Sequence, residues 1–235
     1  MTSKDTVQAA AVSAATVNMD GRSAILSRIR SAIGKGRSEG ERAASEMALP
    51  SRLKPVRPPL PAGTLAHFKA KCEANLISVQ TLAHLNEVPG AVAHILAQAN
   101  MAPDISVAPS LRDLVWPATM TTASAKARIT EKLTVTRAAA GIAETGTCVV
   151  CSGDDAPSSL TFAPELNVIV LDEAGVVAYL EDGLALVKTR YAPWPRTVNL
   201  VSGPSRTADV AGIVVRPAHG PKAVHLLLVS APPAP

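Results

Sequence analysis

The sequence is poor in aromatic residues and in cysteine. Its 235 residues include two Trp, two Tyr, two Phe and three Cys. An odd and low number of cysteines excludes a disulfide framework in a chain of this size, so a reducing cytoplasm is the expected compartment. Because aromatic residues make up only 3% of the chain, the core has to be built from Ala, Val, Leu and Ile. Such a composition is typical of a buried parallel sheet covered by helices.

The sequence also lacks long apolar runs. No stretch reaches the roughly 18 apolar residues that a membrane span requires, so we expect none. The first 17 residues are rich in Ala but contain Gln8, Ser13 and Thr16, and the charges of Lys4 and Asp5 cancel. Without a cationic start, this segment does not resemble a secretory signal peptide.

The net charge of +4 is unevenly distributed. Residues 1–60 contain ten Lys/Arg and five Asp/Glu, whereas residues 61–235 contain 13 and 14. A basic N-terminal segment can contact nucleic acid or an acidic partner protein, or it can be a solvated helix and linker. No RNA-binding aromatic pair and no zinc-finger spacing accompanies it, so we expect no nucleic-acid partner.

Composition divides the chain into four parts. Ile25, Ile29 and Ile33 recur every four residues and predict a short helix that Asp20 can cap. A connector rich in Gly, Arg and Pro follows this helix. The predicted parts are a disordered segment over residues 1–19, the helix and connector over 20–63, an α/β domain over 64–230 and a loose tail over 231–235.

Apolar strands alternate with amphipathic helices from residue 64 onward. One predicted helix extends from Gly175 to Lys188, and Pro89 fits the first turn of an earlier helix. Two apolar runs flank Thr145 and Gly146, which is typical of a tight turn between antiparallel strands. The predicted strands span residues 76–81, 105–108, 134–136, 167–171, 197–202 and 223–229. This alternation predicts an α/β fold with a mostly parallel sheet flanked by helices, preceded by an N-terminal helical arm.

The loop Gly203–Asp209 is the strongest candidate for a binding site. Its residues are Gly203, Pro204, Ser205, Arg206, Thr207, Ala208 and Asp209. We interpret it as a strand-to-helix loop in which Ser205 or Thr207 caps the next helix. Free backbone N–H groups, the positive end of that helix and the Arg206 guanidinium would then form an anion site. The alternative is a structural turn in which Arg206 pairs with Asp209, and the residues alone leave both interpretations open.

Two further polar motifs lie beside predicted strands. They are Glu144, Thr145, Gly146 and Thr147 in one, and His219, Gly220 and Pro221 in the other. Glu144 can act as a base, a nucleophile or an alcohol-binding group, or can belong to a polar hairpin tip. His219 can act as an acid–base group or hydrogen-bond donor, or can fix its turn by bonding to the backbone. We expect all three motifs to meet at one end of the sheet and to bind a small anion, such as a carboxylate or phosphate.

Cys148 and Cys151 have the spacing of a metal or redox pair. Because side chains alternate along a strand, positions three residues apart face opposite ways. A single pair also cannot complete a four-ligand zinc site. We therefore expect this chain to bind no metal and no cofactor of its own.

The three motifs, in this order, resemble the LUD-domain family. The resemblance is carried by Gly141 to Thr147, by Ser202 to Asp209, and by His219 to Pro221 before a hydrophobic strand. The N-terminal helix around Ile29 to Ile33 resembles the start of the lactate-utilisation protein C branch of that family. The similarity covers about residues 22–230.

This resemblance implies a fold of the NagB/RpiA/CoA-transferase-like type. It also implies an accessory or regulatory role in the oxidation of L-lactate to pyruvate, beside two iron–sulfur proteins. This chain lacks the cysteine sets of such proteins, so we expect it to hold no cluster itself. The alternative is a stand-alone enzyme, of the sugar-phosphate isomerase or CoA-transferase type, that acts on a phosphate- or carboxylate-bearing small molecule.

One position departs from the family pattern. Family members often carry a His within a Leu-Pro-x-x-His pattern, whereas this chain has Asn167 after Ala163, Pro164, Glu165 and Leu166. Asn can form hydrogen bonds but cannot shuttle protons. An acid–base role at this position is therefore not expected here.

Overall fold

The computed structural model describes residues 21–33, 38, 40, 57–60, 63–123, 132–153, 157–210, 213–215 and 220–230, with the backbone alone for 207–210 and 213–215. The chain divides into two units, residues 1–57 and 58–235. In the first unit, residues 21–33 form helix α1, in agreement with the predicted helix. Its Ile25 and Ile33 side chains are exposed. The predicted disordered segment, most of the connector and the tail lie outside the described residues.

The described residues of the second unit form two main sheets and four helices. The strands are β1 (Ile77–Leu82), β2 (Asp104–Val107), β3 (Thr121–Ala123), β4 (Leu133–Arg137), β5 (Ala140–Ile142), β6 (Thr147–Cys151), β7 (Leu166–Asp172), β8 (Val176–Val177), β9 (Val198–Val201), β10 (Thr207–Val210), β11 (Ile213–Val215) and β12 (Ala223–Val229). The helices are α2 (Thr64–Ala74), α3 (Val88–Gln98), α4 (Ser158–Phe162) and α5 (Leu180–Arg190). Pro89 lies in the first turn of α3, as predicted.

The larger sheet has six strands in the order β1-β12-β7-β4-β2-β3. Every neighbouring pair in it is parallel. The smaller sheet has the order β8-β5-β6-β9, and β6 is antiparallel to both its neighbours. The prediction of a mostly parallel α/β sheet with an antiparallel portion at the Thr145–Gly146 turn is therefore confirmed. None of the described helices is long and apolar enough to cross a membrane.

Successive residues of one strand face opposite sides of the sheet and pack in different cores. Where both sides are buried, successive positions of a strand are apolar, which explains the apolar runs in the sequence. Val168 of β7 lies in a core on the α3 face of the larger sheet. Ile169 of β7 and Val150 of β6 lie in a second core, between the two sheets, to which α2 contributes. Val149 of β6 packs with Val187 of α5 on the outer face of the smaller sheet.

Two sequence-based expectations differ from the structure. The helix predicted from Gly175 begins only at Leu180, because Val176 and Val177 pair with β5 as a short parallel strand. Two β-branched residues fit such a pairing well. The loop after β9 leads into strand β10 and not into a helix. Consequently, no helix N-terminus follows Arg206, and that part of the predicted anion site is wrong.

Candidate functional site

The turn between β5 and β6 is held against the end of helix α2. Gly146 has a φ of 66°, and a Cβ atom there would lie 2.6 Å from the backbone nitrogen of Cys72. The Cys72 thiol donates to the Gly146 carbonyl oxygen at 3.5 Å. The Asn75 amide donates to the Thr145 carbonyl oxygen at 2.7 Å. Only glycine fits Gly146 without displacing α2, because both its conformation and its close approach exclude a side chain.

A chain of hydroxyl groups joins this turn to the loop after β9. The hydroxyl oxygens of Thr145 and Thr147 are 2.7 Å apart, and those of Thr147 and Ser202 are 2.6 Å apart. Thr147 is buried, whereas Thr145 is exposed. Glu144 is half-buried, and its backbone N–H donates to the Ala178 carbonyl oxygen at 3.0 Å. The first two sequence motifs are thus in direct contact.

The loop after β9 also lies against the end of α2. Gly203 has a φ of 122°, and a Cβ atom there would collide with the Asn75 carbonyl oxygen. The Arg206 guanidinium is exposed and donates through Nη2 to the same Asn75 oxygen at 3.4 Å. The Ser205 N–H donates to the Pro221 carbonyl oxygen at 2.8 Å.

The third motif is therefore beside the second. A Cβ atom at Gly220 would lie 3.4 Å from the Ser205 Cβ atom. The structure brings together residues 144–147, 202–206 and 220–221, which we call the loop cluster. His219 and the side chains of Thr207 and Asp209 lie outside the description, so a pairing of Arg206 with Asp209 stays untested.

The loop cluster lies at the amino end of the parallel strands. Asn75 precedes β1 and Pro221 precedes β12, and both strands belong to the larger sheet. The Gly203 loop follows the carboxyl end of β9, but β9 belongs to the smaller sheet, where strands are mixed in direction and carboxyl ends do not share one edge. The loop cluster therefore does not lie at the carboxyl edge of the larger sheet, where parallel α/β sheets bind their ligands.

Asn167 has a structural position in a buried polar network. Its Nδ2 donates to Thr134 Oγ1 at 3.0 Å and to the Leu160 carbonyl oxygen at 2.8 Å. Its Oδ1 accepts from the Thr136 hydroxyl at 3.2 Å. Its side chain links α4 to β4 and β7 within the fold.

The structure contains a second polar region, which sequence reasoning missed. A cleft of about 890 Å³ lies at the carboxyl ends of β4 and β7. The charged residues that line it are Arg137, Asp172, Arg190 and Arg196. Arg137 and Asp172 form an ion pair at 2.9 Å. The sequence shows that Arg137 and Asp172 each end a buried strand. It does not show that these two strands are neighbours in the sheet, so the ion pair between them could not be predicted.

The cysteines are buried in two different cores. Cys148 shares the core between the sheets with Cys72, whereas Cys151 lies in the core beneath α5. The expectation that Cys148 and Cys151 face opposite ways is confirmed. Burial raises the pKa of the Cys72 thiol to about 12 and that of Cys151 to about 11, and it raises the pKa of Cys148 well above its ordinary value.

Comparison with known families gives one domain match. The family model of the LUD domain matches residues 65–229. A crystal structure of a DUF162 family protein from Deinococcus radiodurans superimposes with a TM-score of 0.57 over 73% of this chain and 99% of that chain. Its sequence identity is 19%, so this likeness supports the fold alone.

Curated relatives match over shorter stretches. The uncharacterised protein YkgG of Escherichia coli K12 is 35% identical over 101 residues, which are 41% of this chain and 44% of the relative. Lactate utilization protein C of Bacillus licheniformis is 30% identical over 91 residues, 37% of this chain and 38% of the relative. The Bacillus subtilis protein of the same name is 27% identical over 92 residues, 38% of each chain. The matches thus span less than half the length of these relatives.

Proposed function

This chain belongs to the LUD-domain family, and on that premise we propose that it acts in lactate utilisation. Its role is that of an accessory or regulatory subunit of a cytoplasmic iron–sulfur system that oxidises L-lactate to pyruvate. The observation that carries the proposal is the domain match over residues 65–229, together with relatives named Lactate utilization protein C.

The placement of the metal-ligating side chains supports the proposal that partner proteins, and not this chain, hold the iron–sulfur clusters. Among the described residues, no three His, Cys, Asp or Glu side chains meet in a group that could hold a metal ion. The three thiols are buried, and their raised pKa values disfavour the thiolate that ligates iron. The proposal therefore assigns the clusters to partner proteins and ligand or partner recognition to this chain.

Co-purification from lactate-grown cells tests the subunit role. The tagged full chain should retain proteins whose visible absorption and iron content identify iron–sulfur clusters. The same tagged chain from cells grown without lactate is the matched control. Recovery of the chain without any iron-containing protein under both conditions would contradict the proposed complex.

The second part of the proposal concerns the loop cluster as a site for a small anion. Arg206 is exposed at its surface and is held by a long hydrogen bond of 3.4 Å, which an incoming carboxylate or phosphate can replace. The hydroxyl groups of Thr145, Thr147 and Ser202 lie in the same cluster. Glycines at 203 and 220 place backbone close to this region.

Calorimetric titration with L-lactate and with inorganic phosphate tests this site. Replacing Arg206 with Ala should weaken binding of the preferred anion by about 1.5–3 kcal/mol, since a charge-assisted hydrogen bond is lost. Arg206→Lys should recover only part, because it restores the charge but not the fork. Unchanged affinity together with a lower melting temperature would instead assign Arg206 to bracing Asn75.

A second candidate function is a stand-alone enzyme for a phosphate- or carboxylate-bearing small molecule. The cleft at the carboxyl ends of β4 and β7 favours it, because α/β enzymes commonly bind their ligands at that edge. Turnover of sugar phosphates or acyl-CoA by the isolated protein would favour this function over the subunit role.

A further inference from the structure

We propose that the cleft at the carboxyl edge of the larger sheet binds a nucleoside phosphate. Arg190 and Arg196 contact the phosphate groups, and Trp194 stacks on the base. This site is distinct from the loop cluster, and it stands whether or not the protein acts on lactate.

The position of the cleft is the first argument. Ser110 follows β2, Arg137 ends β4 and Asp172 ends β7, and all three residues line the cleft. Parallel α/β sheets bind ligands beyond the carboxyl ends of their strands. The volume of about 890 Å³ is far more than lactate or phosphate requires and lies within the range of pockets for larger organic ligands.

The charge of the cleft is the second argument. Arg137 forms an ion pair with Asp172, so the positive charges of the cleft that remain for a ligand are the guanidinium groups of Arg190 and Arg196. Neither of these two forms an ion pair with any residue that the structure describes. The sequence continues from Gly153, at the cleft wall, into residues 154 and 155, both Asp, which lie outside the description. Two arginines that form no ion pair with a described acidic residue offer the donors that phosphate groups prefer.

A hydrogen bond within the fold fixes one end of the Arg190 guanidinium group. Arg190 is the last residue of α5 and donates through Nη1 to the Ala139 carbonyl oxygen. A guanidinium carries five N–H groups, so this bond orients Arg190 and leaves donors for a ligand. Arg196 follows Pro195 in the sequence. It is exposed and also lines the cleft.

The exposed aromatic surface is the third argument. Trp194 lines the cleft and is 51% exposed, in a chain that has only two Trp. Tyr191 lines the same cleft and is 37% exposed. A flat, exposed indole beside two guanidinium groups is suited to a ligand with a planar ring at one end and negative charge at the other.

Tryptophan fluorescence provides the test. The Trp116→Phe variant leaves Trp194 as the sole indole, and Trp116 packs against the α3 core without lining the cleft. ADP and GDP should change its emission saturably at up to millimolar concentration. Inorganic phosphate and L-lactate, at the same ionic strength, should give no comparable change. The Trp194→Phe variant of the otherwise natural chain should lose the signal.

Charge variants identify the contact. In the Trp116→Phe background, Arg196→Ala should weaken ADP binding about tenfold or more. Lys188→Ala is the matched control, because Lys188 also carries a positive charge near the end of α5 but does not line the cleft. Its replacement should change the affinity for ADP by no more than about twofold. Arg206→Ala should also leave it unchanged, which separates this site from the loop cluster.

Three outcomes would overturn the proposal. They are no saturable change with ADP or GDP, an equal response to phosphate alone, and equal weakening by Arg196→Ala and Lys188→Ala. None of these results bears on the lactate role, which co-purification tests independently.

Discussion

The Thr136 hydroxyl on β4 donates to Asn167 Oδ1 on the neighbouring strand β7, at 3.2 Å. Asn167 in turn donates to Thr134 on β4 and to the Leu160 carbonyl oxygen of α4. All three side chains are fully buried. Both ends of the Asn167 amide therefore have partners, so Asn167 is a structural residue in this chain.

Replacing Asn167 with Asp should strongly destabilise the fold. The carboxylate has no N–H to donate to Thr134 or Leu160, and it would be charged at a site without a cation among the described neighbours. We expect a loss of about 3 kcal/mol or more in the free energy of unfolding at pH 7, measured by urea denaturation. Because burial would raise the pKa of the new carboxyl, the deficit should shrink as the pH falls and the group becomes a neutral donor.

Asn86→Asp is the matched control for this substitution. Asn86 is exposed, so the same chemical change should alter stability by no more than about 0.5 kcal/mol. Equal effects of the two substitutions, or a deficit at Asn167 that grows on acidification, would contradict the role given to the buried network.

Replacing Gly146 with Ala should destabilise the protein by about 3 kcal/mol or more. The new Cβ atom would meet the backbone of α2 at Cys72, and the positive φ is unfavourable for Ala. Gly90→Ala is the control, since Gly90 lies inside α3 with nothing within 4 Å of a Cβ atom. It should stabilise the protein by about 0.5–1 kcal/mol. Thermal melting that ranks the two variants equally would show that α2 does not fix the turn.

The three cysteines should be unreactive in the native protein. Their raised pKa values keep them as thiols at neutral pH, and burial excludes reagents. A disulfide reagent such as DTNB should label three thiols in denaturant, and native labelling should follow the rate of unfolding. Rapid native labelling of even one thiol would contradict this.

The same thiols give a pH dependence with a defined sign. Their folded pKa values exceed the ordinary value of 9.0, so the unfolded chain releases thiol protons first as the pH rises. This contribution to stability is complete below pH 9 and is lost above it. Replacing all three with Ser or Ala should flatten the decline in the free energy of unfolding between about pH 9 and 11.

Local sequence pattern predicted the parts of the fold that depend on one segment. β7 and β12 were evident as apolar runs, and the turn at Thr145 and Gly146 was evident from its flanking strands. The start of α5 was misplaced because Val176 and Val177 fit a helical stripe as well as a strand, and only pairing with β5 decides between them.

The same holds for the candidate sites: features of one segment could be predicted, whereas contacts between separate segments mostly could not. The contact of Thr147 with Ser202 follows from motifs that the sequence displays. The helix expected after Arg206 was inferred from capping residues, which also occur in turns between strands. The cleft at the carboxyl edge of the larger sheet had no sequence motif, because Arg137 ends β4 whereas Arg190 ends α5 and Arg196 follows it, and only the tertiary fold brings these segments together.

Lactate oxidation in a deletion strain tests the central claim most directly. The gene would be deleted in a host without a redundant lactate dehydrogenase, and lactate consumption and growth on L-lactate would be measured, with growth on pyruvate as the control. The proposed role predicts loss of lactate oxidation, normal growth on pyruvate and recovery when the full chain is supplied from a plasmid. Normal lactate oxidation in the deletion strain would contradict it.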